Sequence, residues 1–552
     1  MEQQIVKQRE QTHDYETLYK NFKWEIPPYY NFGFDVVDKW AEDRTKLALI
    51  SIDRTGKHDR YHTFYDLSVA SNQFANVLKK IGVKKGEKVL VILQSIPEWY
   101  IALIGMFKLG VVAMPGTVLL TKKDIEYRVN RAEATMVITD MDHADLVDAV
   151  KATCPTLKHL MLVDGKRAGW YNYDEEISEA SRELPIKETE KTKTTDPLLI
   201  YFTSGTTGHP KMVLHTHSYP LGHEVTARFA QALTSSDLHW TVSETGWAKA
   251  AWGKLFGQML VGAAVIQWET PGRFDADGLL KAMEKYGVTT FCAPPTVYRL
   301  MIQMDLSQYK LRLRHCMSAG EPLNPEVIRA WKKAFKQDIY DFYGQTETVC
   351  VLSNYPFMPM KYGSVGKPTP GHDVRIVDEA GHELSIGEVG NIAIYLGDGR
   401  PPGLFQEYWK DPDIMKEAFR NNYYYTGDQA YKDEEGYFWF VGRDDDVIKS
   451  SGYRIGPFEV ESALIEHDAV AECAVVGVED PQGVRGIVVK AVVVLAKGYK
   501  PSDALTKELQ EHVKNTTAPY KYPRIIEYSD ELPKTISGKI LRRQLRNSSD
   551  TK

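Results

Sequence analysis

"EKVLVILQSIPEWYIALIGMFKLGVVAMPG", Glu87–Gly116, decides the fold. "EKVLVIL" is a short run rich in β-branched residues and reads as a buried strand. In the next segment Ser95 offers an N-cap, Glu98 stands three residues on as in a capping box, and Gly110 offers a left-handed stop. That segment is a helix, and "VVAMPG" is the following strand. The unit then repeats, with "TKKDIEYRVNRAEA" a helix opened by Thr121 and "TMVITD" a third strand. Strand–helix–strand at this spacing predicts an α/β fold, a parallel sheet with helices on its faces. Ligands of such sheets bind beyond the carboxyl ends of the strands.

Further along, Ser181–Pro197 is charged and Thr-rich and reads as an exposed connector before the strand "LLIYF". Past Arg443 the texture changes to a polar, acidic turn, a short ribbon and a helix. The strands "AECAVVGVED" and "GIVVKAVVVLA", the helix "SDALTKELQEHVKN" and the basic tail "PKTISGKILRRQLR" follow. A small α+β domain of about one hundred residues fits this segment. The expected division is 1–444 and 445–552, with the boundary at Asp445.

The bulk numbers agree with a folded chain able to bury large cores. Its 552 residues suit three or four units by length alone, and 43% hydrophobic with 26% charged residues is ordinary for a globular protein. A formal charge of -6 argues against nucleic acid as the main partner. Five dispersed cysteines without a C-x-x-C pair fit a reducing compartment. The polar start "MEQQIVKQREQTHDYETLYK" resembles neither a secretory signal nor, given its acidic residues, a mitochondrial presequence. The apolar run "WYIALIGMF" is about half the ~18 residues of a membrane span. These features predict a cytoplasmic protein with no integral membrane segment, and leave a homo-oligomer open.

After "LLIYF" comes "TSGTTGHPKMVLHTH". A Walker loop fails here because Pro210 stands where its second glycine belongs, and the dinucleotide pattern near Gly397 fails at Pro402. Phosphate chemistry survives in the residue types. Gly205 and Gly208 let successive N–H groups approach one anion; Thr203, Ser204, Thr206 and Thr207 add hydroxyls, and Lys211 a charge. A plain solvent loop is the competing reading. His215, His217 and His223 lack companions at ligand spacing and are better packed histidines than a metal set.

The loop does not stand alone. "TSGTTGHPK" is followed in order by "AGEPL", "DFYGQTE", "YTGD", "VGRDDDVIKSSGYRIGPFEVE" and "PKTISGKILRR". Together these resemble the adenylate-forming family of acyl-CoA synthetases, luciferases and peptide-synthetase adenylation domains. The likeness runs from about Tyr30 onward, and "GVVAMPGTVLLTKKDIEYR" with "TAPYKYPR" is most similar to the medium-chain acyl-CoA synthetases.

The resemblance implies a large N-terminal domain of stacked sheets, a small mobile C-terminal domain, and a two-step reaction using ATP, Mg²⁺ and CoA. A carboxylic acid and ATP give an acyl-adenylate and pyrophosphate, and the CoA thiol then displaces AMP. It also implies roles. Ser204, Gly205, Thr206, Thr207, Gly208 and Lys211 would cradle the β- and γ-phosphates, with Thr203 and Glu347 at the metal. Gly320, Glu321, Pro322, Asp341, Phe342, Tyr343 and Thr346 would line the adenine pocket, Asp428 would take the ribose hydroxyls, and Arg443 would assist. Lys539 would bridge carboxylate and α-phosphate as the catalytic lysine, and Asp445 would be the hinge. Gly452, Tyr453, Arg454, Arg485, Lys514 and Tyr522 would meet CoA.

Trp247, Gly344 and Trp252 are the implied acyl-pocket residues. Acetate-specific relatives carry tryptophan where this chain has Gly344, so a deeper pocket and a short-to-medium-chain acid are expected, with Trp252 able to shorten it again. Lys249 and Lys254 are unusual there, since a buried lysine costs several kcal/mol unless paired. The other readings are an adenylate-forming enzyme with a non-CoA acceptor and a nucleotide-binding regulator without turnover. Retention of Lys539 and Glu347 speaks against the regulator.

Overall fold

The computed structural model describes residues 14–203, 210–269, 274–397, 399–444, 446–450, 453–481, 486–534 and 540–547, apart from the side chains of Glu188, Lys449 and Arg454. The Lys88–Ile92 strand lies between Val112–Gly116 and Met136–Thr139, parallel to both, as the spacing requires. His159–Leu162 and Tyr171–Asn172 extend the sheet in parallel on one side. On the other side lie Pro197–Thr203 and then the antiparallel Lys211–Thr216 and Glu407–Tyr408.

The intervening helix is Pro97–Leu109 and ends at left-handed Gly110. Its start differs from expectation. Ile96 is the N-cap, with no side-chain cap bond, because Pro97 fixes the first helical φ and has no N–H to satisfy. The Ser95 hydroxyl is used elsewhere, as the acceptor of a bond from Lys254 Nζ at 2.8 Å. The Thr121 cap forms as expected, with a reciprocal box to Asp124.

Helix Pro97–Leu109 is apolar nearly all round and accordingly buried nearly all round. Lys108 is fully buried within it, and its ammonium is held at 2.6 Å by Asp38 Oδ1 and at 2.6 Å by Asn72 Oδ1. One core contains residues of this helix, of the first sheet (Val89, Val91, Ala113) and of a second, nine-stranded sheet (Leu49, Val265, Cys292, Met317). The second sheet is parallel through Ile339–Gly344, His315–Ser318, Thr290–Ala293, Leu238–Thr241, Ala264–Trp268 and Leu47–Ile52, with antiparallel strands at both edges. A third sheet is antiparallel and contains Val374–Val377, Gly390–Tyr395, Tyr423–Lys432 and Phe438–Arg443.

Beyond these, the chain builds a smaller C-terminal body. It has the ribbon Ile448–Ser450/Tyr453–Ile455, the helix Pro457–Ile465, and the strands Val470–Glu479, Ile487–Leu495 and Ile525–Tyr528. Helix Asp503–Thr516, capped by Ser502, packs on that sheet through Leu505, Leu509 and Val513. Among the described residues no helix is long and apolar enough to cross a membrane.

Candidate active site

A cavity of ≈ 1320 Å³ opens where Thr203, Thr241 and Gly344 end their strands, and all three line it. This is the position that a parallel sheet reserves for ligands.

On one side of the cavity Asp428 is held by two donors. Tyr343 Oη donates to its Oδ2 at 2.6 Å and Gln345 Nε2 to the same oxygen at 2.6 Å, while Tyr424 Oη fixes the amide by donating to Gln345 Oε1 at 2.9 Å. Asp428 and Arg443 are register partners across adjacent strands, so a carboxylate and a guanidinium share one edge of the cavity. Burial, and then the Asp428 charge, push the Tyr343 phenol well up, so it remains a donor. Asp341 is buried beneath the Leu323 amide, which donates to it at 3.4 Å, and burial raises its carboxyl far above the usual range. Gly320 lies in the left-handed region at φ +102, and a Cβ there would stand 2.7 Å from Lys249 Nζ. The left-handed backbone therefore favours the glycine of "AGEPL".

On another side Thr203 and Lys211 face each other as register partners, flanking 204–210 in the chain. Glu347 accepts from Tyr408 Oη at 2.8 Å, and Lys211 sits 5.0 Å over the Tyr408 ring. Burial raises the Glu347 carboxyl, opposed by Tyr408 and by the charges of Lys211 and Arg443. A buried carboxylate raised in this way, with Thr203 on the same cavity, is a hard-oxygen set suited to a divalent cation bound together with phosphate oxygens. His215 Nε2 bonds the Thr346 carbonyl at 2.7 Å and tethers the "QTE" loop from below. His217 and His223 are fully buried, and burial brings His217 down to about 4 and His223 well below the usual imidazole value. Among the described residues no group of three His, Cys, Asp or Glu could hold a metal.

The acyl side changes the expectation about Gly344. A Cβ at Gly344 would lie 2.3 Å from the Val349 carbonyl oxygen and 2.6 Å from the tip of the Trp252 indole. The room that glycine leaves is therefore taken by the Val349 carbonyl and by Trp252, whose Nε1 donates to Tyr219 Oη at 3.1 Å. Trp247 also lines the cavity. Lys249 donates to the Ala319 carbonyl and carries charge toward Asp341. Lys254 is 3% exposed, and burial, partly offset by the Glu244 charge, brings its ammonium down to about 8.

The C-terminal body reaches the cavity. Asn324 Nδ2 donates to Ser462 Oγ at 3.0 Å across the two bodies, and Ile540 and Arg542 line the opening. Arg542 is fixed by Glu461 at 2.7 and 2.9 Å. Away from the cavity, exposed Tyr453 stacks on Tyr520 at 4.1 Å, and Lys514 and Arg524 flank the Tyr522 ring at 4.4 and 4.8 Å. Ser204, Gly205, Thr206, Thr207, Gly208, Asp445, Gly452, Arg485 and Lys539 lie outside the described residues, as does the side chain of Arg454. The structure brings Thr203, Lys211, Trp247, Trp252, Gly320, Glu321, Pro322, Asp341, Phe342, Tyr343, Gly344, Thr346, Glu347, Asp428 and Arg443 to one cavity. Sequence reasoning passed over Gln345, Tyr408 and Glu244. Gln345 stood inside a quoted motif, whereas Tyr408 carries no local signal.

Comparison with known proteins bears on this geometry. The profile described as AMP-binding enzyme matches residues 37–409, and that of the AMP-binding enzyme C-terminal domain matches 459–539. The mitochondrial acyl-coenzyme A synthetase ACSM3 of Mus musculus is 47% identical over 97% of this chain and 93% of its own. The mitochondrial ACSM5 of Homo sapiens is 45% identical over 95% and 91%. Among solved structures, the anthranilate CoA ligase AuaEII in complex with anthranoyl-AMP superposes with a TM-score of 0.87 at 32% identity, covering 95% of this chain and 98% of that one. A benzoate CoA ligase from Burkholderia xenovorans LB400 gives 0.81 at 30%, covering 94% and 100%.

These relatives also correct the expected compartment. The curated ones are named mitochondrial, so the cytoplasmic expectation does not stand. That expectation rested on a polar, acidic start and a lack of disulfide patterning, and neither feature encodes an address. With two profiles spanning most of its length, and relatives alike over nearly all of it, the chain belongs to the AMP-binding enzyme family.

Proposed function

We propose that the protein is an AMP-forming acyl-CoA ligase for short-to-medium-chain carboxylic acids. One observation supports this most: a single cavity joins an Asp428–Tyr343–Gln345 cluster, the Thr203–Lys211–Glu347 group and an indole-lined cleft, with Ile540 beside it. A nucleotide, its phosphates and an acid would meet there in line.

Asp428 accepts from both ribose hydroxyls, and Tyr343 and Gln345 hold it in place for that. Asp341 and Gly320 border the adenine side, with the Lys249 ammonium against the glycine. Lys211 and the residues from Ser204 to Gly208 take the β- and γ-phosphates. Glu347 and Thr203 would hold Mg²⁺, which supplies charge neutralisation on the phosphate oxygens. With the acid between Trp247 and Trp252, its carboxylate oxygen attacks the α-phosphorus. The bond to the β-phosphate oxygen breaks, and pyrophosphate leaves with the electron pair. Lys539, next in the chain to Ile540, bridges the attacking carboxylate and the α-phosphate. Charge placed in advance does most of the work in such a step.

The thioester step follows when the body 445–552 turns about Asp445 relative to 1–444. A hinge of this kind needs only a few residues to absorb the dihedral change. Gly452 then admits the thiol arm, while Tyr453, Arg454, Arg485, Lys514 and Tyr522 take the CoA nucleotide. The thiol sulfur bonds the acyl carbon as its proton is lost, the bond from that carbon to the phosphate oxygen breaks, and AMP leaves with the electron pair.

The test is CoA-thiol consumption with ATP and magnesium across acids from acetate to dodecanoate. Lys539→Ala is assayed alongside, from free acid and from preformed acyl-adenylate. Thioester from several acids, with the variant failing only from free acid, is the expected result. Pyrophosphate release without CoA consumption for every acid would remove the CoA assignment.

A further inference from the structure

Lys254 is an ammonium buried in the wall of the cavity with its hydrogen-bonding capacity mostly unspent. Among the described residues its hydrogen bond is the one to Ser95 Oγ at 2.8 Å, leaving further N–H donors of the three that an ammonium carries. Glu244 acts on it through charge, yet that carboxylate is engaged elsewhere. It accepts from the Val118 amide at 3.2 Å and the Gly246 amide at 3.2 Å. A buried charge with idle donors is costly unless something meets them.

Trp252 and Lys254 stand two residues apart on one helical segment, Ala251–Leu255, and line the same cavity. Trp252 closes the Gly344 side, so a chain longer than a few carbons has to use the rest of the cavity, where Ser95, Glu244 and Lys254 make a polar wall. Charge narrows what fits there. Glu244 already balances the ammonium, so a second carboxylate would bring an uncompensated negative charge. A neutral oxygen accepts the idle N–H and adds none.

The geometry points to Lys254 as a specificity-determining residue that selects carboxylic acids carrying a neutral hydroxyl or oxo oxygen along the chain. This rests on the acyl-CoA ligase reading and names the substrate class for the same cavity.

The experiment compares kcat/KM for pyrophosphate release, without CoA, among hexanoate, 6-hydroxyhexanoate, 5-oxohexanoate and adipate. Wild-type protein and Lys254→Met are both used, and the folding of each is checked by circular dichroism. Wild type is expected to favour a hydroxy or oxo acid over hexanoate by about tenfold or more, the scale of a hydrogen bond to a charged group. In the variant that ratio falls to near one. The wild-type ratio alone decides the matter if the variant does not fold. A wild-type preference for hexanoate or adipate overturns the proposal while leaving the ligase reading intact. So does a Lys254→Met effect confined to the KM for CoA in the thioester assay, which would assign the ammonium to an amide carbonyl of the thiol arm. No pyrophosphate from any acid overturns both.

Discussion

Replacing Trp252 with alanine tests the acyl pocket directly. The indole fills the space beside Gly344 and lines the cavity, so its removal should lengthen the cleft. An aromatic side chain of this size buries roughly 150–250 Å². If half of that faces substrate, the space is worth about three methylenes at roughly 0.8 kcal/mol each. The preference for an acid three carbons longer should then improve by about 50-fold in kcat/KM relative to the wild-type optimum. There is a stability cost of about 3–5 kcal/mol for the deleted indole, and Tyr219 Oη loses the donor that reached it at 3.1 Å. The assay is thioester formation along a straight-chain series, with thermal unfolding followed in parallel. A folded variant whose chain-length profile matches wild type would refute the reasoning, because Trp252 would then not bound the acyl chain.

Other consequences can be measured alongside. Tyr343→Phe removes the phenol that donates to Asp428 and should raise the KM for ATP by about tenfold, the scale of a bond to a charged group; an unchanged KM would detach Asp428 from the nucleotide. Glu347→Gln should lower kcat by at least about 100-fold, with partial recovery at raised magnesium, read by pyrophosphate release. Acid stability follows from buried histidines. Burial lowers His215 and His239 to about 3 and His217, His315 and His372 to about 4. Below the unfolded value of about 6.5 the unfolded chain binds protons that the folded one refuses, so stability falls as pH drops. At pH 5 each ring costs about 2 kcal/mol, and five together rival a typical total stability of about 5–15 kcal/mol. Chemical denaturation should show a steep loss between pH 6.5 and 5, and a flat profile there would mean that the rings are not held neutral.

The strand–helix–strand frame could be read from Glu87 onward because its signals are local: β-branched runs, the Thr121 box, the left-handed Gly110 stop. The residues that the family resemblance named, where the structure describes them, include many that line the cavity. Most of what escaped was set by contacts distant in sequence. Ser95 reads as a cap from its neighbours, but Pro97 makes the cap unnecessary and its hydroxyl meets a lysine far along the chain. Gly344 reads as space that Trp252 could shorten, and the indole does reach it from another element, but the Val349 carbonyl that also borders it carries no signal in the sequence. Nothing near Tyr408 in sequence announces that its phenol reaches Glu347.

Asp428 and Arg443 face each other across one ladder, and the strand bearing Arg443 leads directly toward Asp446 and the ribbon at Ile448–Ser450. The carboxylate proposed to grip the nucleotide thus pairs with the strand that leads to the body proposed to turn. If the body's orientation alters how tightly that ladder grips AMP, AMP must bias the orientation by the same free energy, since such coupling is reciprocal. The spent nucleotide would then act as an effector of the swing, and its release would reset the orientation for the next acid.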